Sequence, residues 1–152
     1  MRPHSALTVI LLAGLVCGTF DGISATIASM FFGGTPIRLF QGVASGLLGR
    51  SAFQGGMGTA LLGVFLHFGV ASGAAFTYYA ASRWLPIMLE RALVCGVIFG
   101  ALTHLFMTFI VIPLSKIGIR PFAPKTFMTF LIISMVVVGP AISLTVRRFS
   151  GR

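Results

Sequence analysis

The sequence predicts an all-α integral membrane protein, a four-helix transmembrane bundle with a short amphipathic interfacial helix between spans 1 and 2. Hydrophobic residues make up 57% of the 152 residues and charged residues only 9%, whereas about a quarter of the residues in a soluble domain are charged. The mean hydropathy is +1.02, and the apolar residues fall into four runs. Each run is long enough to cross the ~30 Å hydrocarbon core of a bilayer.

The four predicted spans are residues 6–32, 57–81, 92–115 and 126–146. We expect them to form a single transmembrane domain, 1–152. Backbone groups in lipid must bond to one another, so each run is expected to be a helix. The beginning of the chain also resembles a signal peptide, with Arg2 ahead of an apolar stretch. Because apolar residues continue to Phe32, we expect a span that is retained.

A short amphipathic helix is predicted over residues 35–50. Thr35 can cap its N-terminus, and Pro36 would take the first helical position, where its missing N–H is tolerated. The apolar positions are Ile37, Phe40, Ala44, Leu47 and Leu48, and the positions opposite are Arg38, Gln41, Ser45 and Gly49. This pattern is typical of helices that lie in the membrane interface. A re-entrant segment, which the glycines would permit, is the alternative.

Prolines and aromatic residues predict local features of the spans. Pro113 and Pro140 are expected to kink or end the third and fourth helices, because proline lacks the N–H that a helix interior needs. Tyr78, Tyr79 and Trp84 cluster where the second span ends, and such residues are enriched at membrane interfaces.

The basic residues lie at the ends of the apolar runs, where residues that anchor a protein in a membrane are found. Eleven Lys and Arg residues stand against two acids, and the formal net charge is +9. The side of the termini holds Arg2, Arg83, Arg91, Arg147, Arg148 and Arg152, and the other side holds Arg38, Arg50, Lys116, Arg120 and Lys125. Bases at span ends interact with anionic lipid headgroups, so we expect lipid as the partner, with Arg147 and Arg148 as an anchor, and no nucleic acid. The slight excess favours cytoplasmic termini.

Three ionisable residues, Asp21, His67 and His104, fall near the middle of the first three spans. Ionisable groups in hydrocarbon are costly and normally face a bundle interior or a water-filled cavity. Small residues spaced four apart form the faces at which membrane helices approach closely, and the three residues continue such faces. The helix-packing glycines are Gly14, Gly18, Gly22, Gly63, Gly96 and Gly100. We therefore predict that the three polar side chains point inward at one depth.

Two classes of function are consistent with these residues. In the first, the chain is a structural or accessory membrane subunit that forms homo-oligomers or joins a larger complex, and its polar residues fix helix packing. In the second, it is a small proton-linked transporter or channel that uses Asp21 and His67, with or without His104. A remote third hypothesis is a haem held by the two histidines, with Gly63 and Gly100 making room for the macrocycle.

Catalytic and cofactor motifs are absent from the sequence. The histidines lack the spacing of zinc ligands, and the glycines of residues 54–58 lack the Gly-Lys-Ser/Thr ending of a phosphate-binding loop. With Asp21 as the only acid inside a span, a Ser-His-Asp triad has no independent support. We expect no enzymatic activity, no metal and no cofactor.

Four stretches carry a resemblance to a known family: AGLVCGTFDGISA, GGTPIRLFQGVASGLLG, LLGVFLHFGVASGAAFTYYAAS and FIVIPLSKIG. They resemble the YagU-like group of small bacterial inner-membrane proteins. The resemblance implies a bacterial inner membrane, an acid such as Asp21 and a histidine such as His67, and it implies no activity. The chain departs from the family pattern at His104, and at Ser134, where a polar aromatic residue or a histidine is expected. These departures weaken the haem hypothesis.

Overall fold

The computed structural model of the chain describes residues 5–118 and 121–150, and every regular element within them is helical. Within these residues, four helices are long and apolar enough to cross a membrane, and we call them the first to fourth long helices: Ala6–Phe31, Gly56–Trp84, Ala92–Leu114 and Pro124–Phe149. The prediction of an all-helical, multi-pass membrane protein is confirmed. The second and fourth long helices extend beyond the predicted spans 57–81 and 126–146. The predicted anchors Arg2, Arg120 and Arg152 lie outside the described residues.

Local sequence determines both ends of the first long helix. Ser5 Oγ accepts a hydrogen bond from the Thr8 N–H at 3.2 Å, which satisfies a backbone donor that the first turn leaves free. At the other end, Gly33 has a φ of +76°, a conformation that glycine adopts without strain. The Gly34 N–H then bonds to the Ser29 carbonyl and the Gly33 N–H to the Met30 carbonyl. This pair of bonds satisfies carbonyls at the helix end and turns the chain back.

A helix from Pro36 to Leu48, the connecting helix, joins the first two long helices. Thr35 Oγ1 caps it by accepting from the Arg38 N–H at 3.2 Å. A 3₁₀ stretch, Gly49–Gln54, then leads into the second long helix. The position of the connecting helix relative to a membrane surface stays a prediction.

The predicted apolar and polar faces of the connecting helix do not coincide with its buried and exposed sides. Gln41 and Ser45 are buried together with Ala44, whereas Ile37, Leu47 and Leu48 are exposed, as is Arg38. Gln41 Nε2 donates to the Gly56 carbonyl at 2.9 Å. A buried polar group needs a hydrogen-bond partner, and Gln41 is buried where the second long helix supplies one.

The long helices pack in the order second, first, fourth, third. The first contacts both the second and the fourth, and the third packs mainly on the fourth. A short helix, Ile87–Glu90, links the second and third long helices. The buried core lies along the first long helix and combines small residues with larger apolar ones and a tyrosine: Val9, Ala13, Cys17, Ala71, Ala75, Tyr78, Leu89, Val138, Ile142 and Val146.

The third and fourth long helices each contain one wider π-helical turn, Met107–Val111 and Ser134–Val138. In each case a proline, Pro113 or Pro140, is the second residue after the turn. A proline ring within a helix crowds the carbonyl four residues earlier and supplies no N–H to it. A widened turn just before the proline accommodates this conflict. The two helices therefore depart from regular α geometry at the sites of their prolines.

Candidate functional site

Asp21 and His67 lie next to each other at the contact between the first and second long helices. Asp21 Oδ2 is 3.9 Å from His67 Nε2, which is beyond the range of a hydrogen bond. The side chain of His67 is 15% exposed and that of Asp21 27%. The structure therefore brings these two predicted residues together without joining them directly.

His67 is held by the backbone of the first long helix. Its Nε2 lies 2.9 Å from the Gly18 carbonyl oxygen. Because a carbonyl oxygen only accepts, Nε2 carries the proton and donates it. The rings of Phe40 and Phe68 stand edge-on to the imidazole, with centroids 5.9 and 5.6 Å away. One ring thus links the first, second and connecting helices.

Glycines make the approach of the first and second long helices possible. A Cβ on Gly22 would lie 3.4 Å from His67 Nε2, and one on Gly18 would lie 2.6 Å from the Phe68 ring. Gly14 faces Ser72 in the same way. At Gly63 the neighbour is the backbone of the connecting helix, because the Phe40 carbonyl occupies the place of a side chain. All four glycines lie at close contacts between helices.

His104 lies in a different contact, between the third and fourth long helices. Its ring centroid is 5.1 Å from that of Phe127, and its Nε2 is buried without a hydrogen-bond partner. Across residues 5–118 and 121–150, no hydrogen bond, ion pair or ring contact joins His104 to Asp21 or His67. The physical reason is the packing order, because the third long helix packs mainly on the fourth.

The contact between the third and fourth long helices is also built from small residues. A Cβ on Gly96 would meet Ser143 Oγ and the Gly139 carbonyl, and one on Gly100 would meet the Ser134 carbonyl. The sequence analysis did not identify Gly139 as a packing residue. The signal was present in the four-residue spacing of Gly139 and Ser143, which is typical of close helix contacts.

An open groove of about 370 Å³ lies beside His67, between the first, second and connecting helices. The polar side chains that line it are those of Thr19, Thr26 and His67, and Asp21 is not among the lining residues. Thr19 Oγ1 is engaged within its own helix, donating to the Leu15 carbonyl at 2.8 Å. The groove is thus a mostly apolar surface and not a chain of polar groups along which a proton could pass.

The residues proposed for a haem do not fit one. The spaces beside Gly63 and Gly100 are filled by the backbone carbonyls of Phe40 and Ser134. The Nε2 of His67 donates to a carbonyl, so that nitrogen has no lone pair for iron. Among the described residues, no group of three or more His, Cys, Asp or Glu side chains could hold a metal ion.

Tyr78, one of the aromatic residues predicted at the membrane interface, is packed inside the protein, and its depth relative to a membrane stays a prediction. The residue is fully buried. Its hydroxyl donates to the Met88 carbonyl at 2.8 Å, and its ring lies edge-on to Phe99 with centroids 5.1 Å apart. The short helix Ile87–Glu90 supplies the partner, which only the folded chain brings into reach. Trp84, by contrast, is exposed.

Comparisons of the chain with protein-family models, curated proteins and solved structures give no match. The resemblance to the YagU-like group stays a prediction. The function is therefore inferred from the residues and contacts of this chain.

Proposed function

We propose that the chain is a structural or accessory membrane subunit without enzymatic activity, in which Asp21 and His67 fix helix packing. The observation that carries this proposal is the hydrogen bond from His67 Nε2 to the Gly18 carbonyl, at 2.9 Å. A relay histidine would need a free nitrogen directed toward its proton donor. Here the nitrogen near Asp21 is the one that donates to the backbone.

The surroundings of His67 support the same proposal. Proton relays within membranes face a water-filled cavity or a chain of polar groups. Water in a protein interior needs two to four polar partners, whereas the groove beside His67 is mostly apolar. An imidazole bonded to a backbone carbonyl and flanked by two phenyl rings is suited to joining helices.

Self-association is part of the proposal. Gly69 and Gly73 lie four residues apart on the outward face of the second long helix, and nothing lies within 4 Å of a Cβ at either position. Phe65 and Phe76 on this helix are also exposed. Small residues at this spacing allow a second helix to approach closely in lipid. We propose that another copy or a further membrane subunit packs here.

The location follows from the charges and the resemblance. We propose a bacterial inner membrane with cytoplasmic termini, where Arg147 and Arg148 contact anionic headgroups. Both arginines are exposed in the last turn of the fourth long helix. In a chain without its native cysteines, Ser51→Cys should react with an impermeant maleimide on intact cells, and Glu90→Cys, at an exposed position on the predicted side of the termini, should react only after lysis. The opposite labelling would reverse the orientation.

Proton flux into proteoliposomes tests the accessory proposal. We expect the parent protein and Asp21→Asn to show the same flux as empty liposomes. Glu90→Gln is the matched control, because Glu90 is the other acid of the chain and is exposed. A proton flux in the parent that Asp21→Asn abolishes and Glu90→Gln leaves unchanged would refute the proposal.

A small proton-linked transporter or channel is the second candidate. It is favoured by the 3.9 Å between Asp21 Oδ2 and His67 Nε2, because a modest rearrangement would bring the two groups within hydrogen-bond reach. This candidate requires flux that depends on both residues. His67→Gln should then reduce flux as strongly as Asp21→Asn.

A further inference from the structure

Two basic residues from distant parts of the chain lie at or next to one backbone contact where the connecting helix ends. Arg50 lies in the 3₁₀ stretch Gly49–Gln54, and Lys116 follows the third long helix. The Lys116 N–H donates to the Gly46 carbonyl at 3.0 Å. A Cβ on Gly49 would lie 3.7 Å from Lys116 Cβ. The lysine is therefore fixed beside the residue that precedes Arg50.

Local hydrogen bonds and a glycine turn shape the backbone on the two sides of this contact. Ser115 Oγ donates to the Ile112 carbonyl at 2.7 Å and accepts from the Ile117 N–H at 3.2 Å. Gly49 has a φ of +70°, a left-handed conformation that glycine adopts without strain. Arg50 thus follows a glycine turn, and Lys116 lies in a loop that hydrogen bonds of Ser115 hold.

No acid of the chain can neutralise this pair. The chain has two acids in all. Asp21 lies beside His67 within the first long helix, and Glu90 follows the opposite end of the second long helix. Both Arg50 and Lys116 are exposed, and an anion that reaches both side chains would reduce the repulsion between their positive charges.

Exposed apolar side chains surround Arg50 along the chain. Leu47 and Leu48 precede it and Phe53 follows it, and all three are exposed. A soluble anion would need only the cations. A phospholipid would need the cations for its phosphate and an apolar surface for its acyl chains.

We propose that Arg50 and Lys116 bind the phosphate of an anionic phospholipid, whose acyl chains lie against Leu47, Leu48 and Phe53. The site prefers phosphatidylglycerol to phosphatidylcholine, because the choline group would add a third positive charge beside the pair. The proposed lipid site does not depend on whether Asp21 and His67 fix helix packing or carry protons.

Native mass spectrometry of the full chain in a neutral detergent tests the site. The parent, Arg50→Gln/Lys116→Gln and the control Arg38→Gln/Arg91→Gln are each titrated with dioleoyl phosphatidylglycerol and dioleoyl phosphatidylcholine. Both double variants lose two positive charges, but Arg38 lies in the connecting helix and Arg91 follows the short helix Ile87–Glu90. We expect the preference for phosphatidylglycerol to fall about thirtyfold in the first variant and less than about threefold in the control.

Retained preference in Arg50→Gln/Lys116→Gln, or an equal loss in both double variants, would overturn the proposal. So would competition by soluble glycerol phosphate at the same concentration as the lipid, since the acyl chains would then contribute nothing. If the double variant does not fold, each single variant is measured instead, and each should lose about fivefold. Arg50→Lys/Lys116→Arg should keep the preference, and its loss there would contradict a site based on charge.

Discussion

Replacing Gly63 by alanine tests whether the connecting helix is docked as the structure shows. A Cβ at this position would meet the carbonyl group of Phe40 and would lie 3.1 Å from the Phe40 Cα. These are backbone atoms within a helix, so they cannot rotate away as a flexible side chain could. The connecting helix must move outward as a whole, and Gln41 would then lose its 2.9 Å bond to the Gly56 carbonyl.

The expected loss of stability follows from two opposing effects. Overpacking by one methyl group against a fixed neighbour costs about 3 kcal/mol, at the upper end of the usual range. Alanine is the better helix former by about 1 kcal/mol. We therefore expect Gly63→Ala to lower the free energy of unfolding by about 2 kcal/mol.

Gly58→Ala is the matched control, because Gly58 lies in the same helix and nothing lies within 4 Å of a Cβ there. It should be neutral or stabilising by up to about 1 kcal/mol. Unfolding by sodium dodecyl sulfate in mixed micelles can be followed through Trp84, the single tryptophan of the chain. If Gly63→Ala proves as stable as Gly58→Ala, the connecting helix does not pack on Gly63.

Three further substitutions are measured by the same unfolding titration. Tyr78→Phe removes the hydroxyl that donates to Met88 and should cost about 1 kcal/mol; an unchanged stability would contradict the buried bond. Thr59→Val removes the 2.6 Å bond to the Ala52 carbonyl and should also cost about 1 kcal/mol, with faster hydrogen exchange in Gly49–Gln54. His104→Phe removes an Nε2 atom that has no hydrogen-bond partner and should change stability by less than about 1 kcal/mol. A larger loss would show that the contact of the imidazole with the Phe127 backbone stabilises the fold.

The long helices could be predicted because lipid constrains them one segment at a time. A run of ~20 apolar residues satisfies its backbone internally and crosses the bilayer whatever its neighbours are. The prolines could be interpreted in the same way, since Pro113 and Pro140 disturb only their own helices. The Ser5 and Thr35 caps are equally local, each joining a side chain to an N–H three residues later.

The partners of the polar residues could not be predicted in this way. The sequence analysis placed His67 on a contact face, but only the crossing of two helices selects the Gly18 carbonyl as its acceptor. Gln41 was assigned to the side of the connecting helix opposite its apolar positions, and it is buried. Tyr78 is covered by a short helix that follows it in sequence.

The number and the approximate length of the apolar helices are thus determined by the sequence, because every span has the same lipid as its solvent. The pairing of polar groups was decided by the tertiary structure alone. In a membrane a polar group gains most by finding a protein partner, and which partner is within reach depends on the order in which the helices pack. That order brings Asp21 and His67 together and leaves His104 beside Phe127.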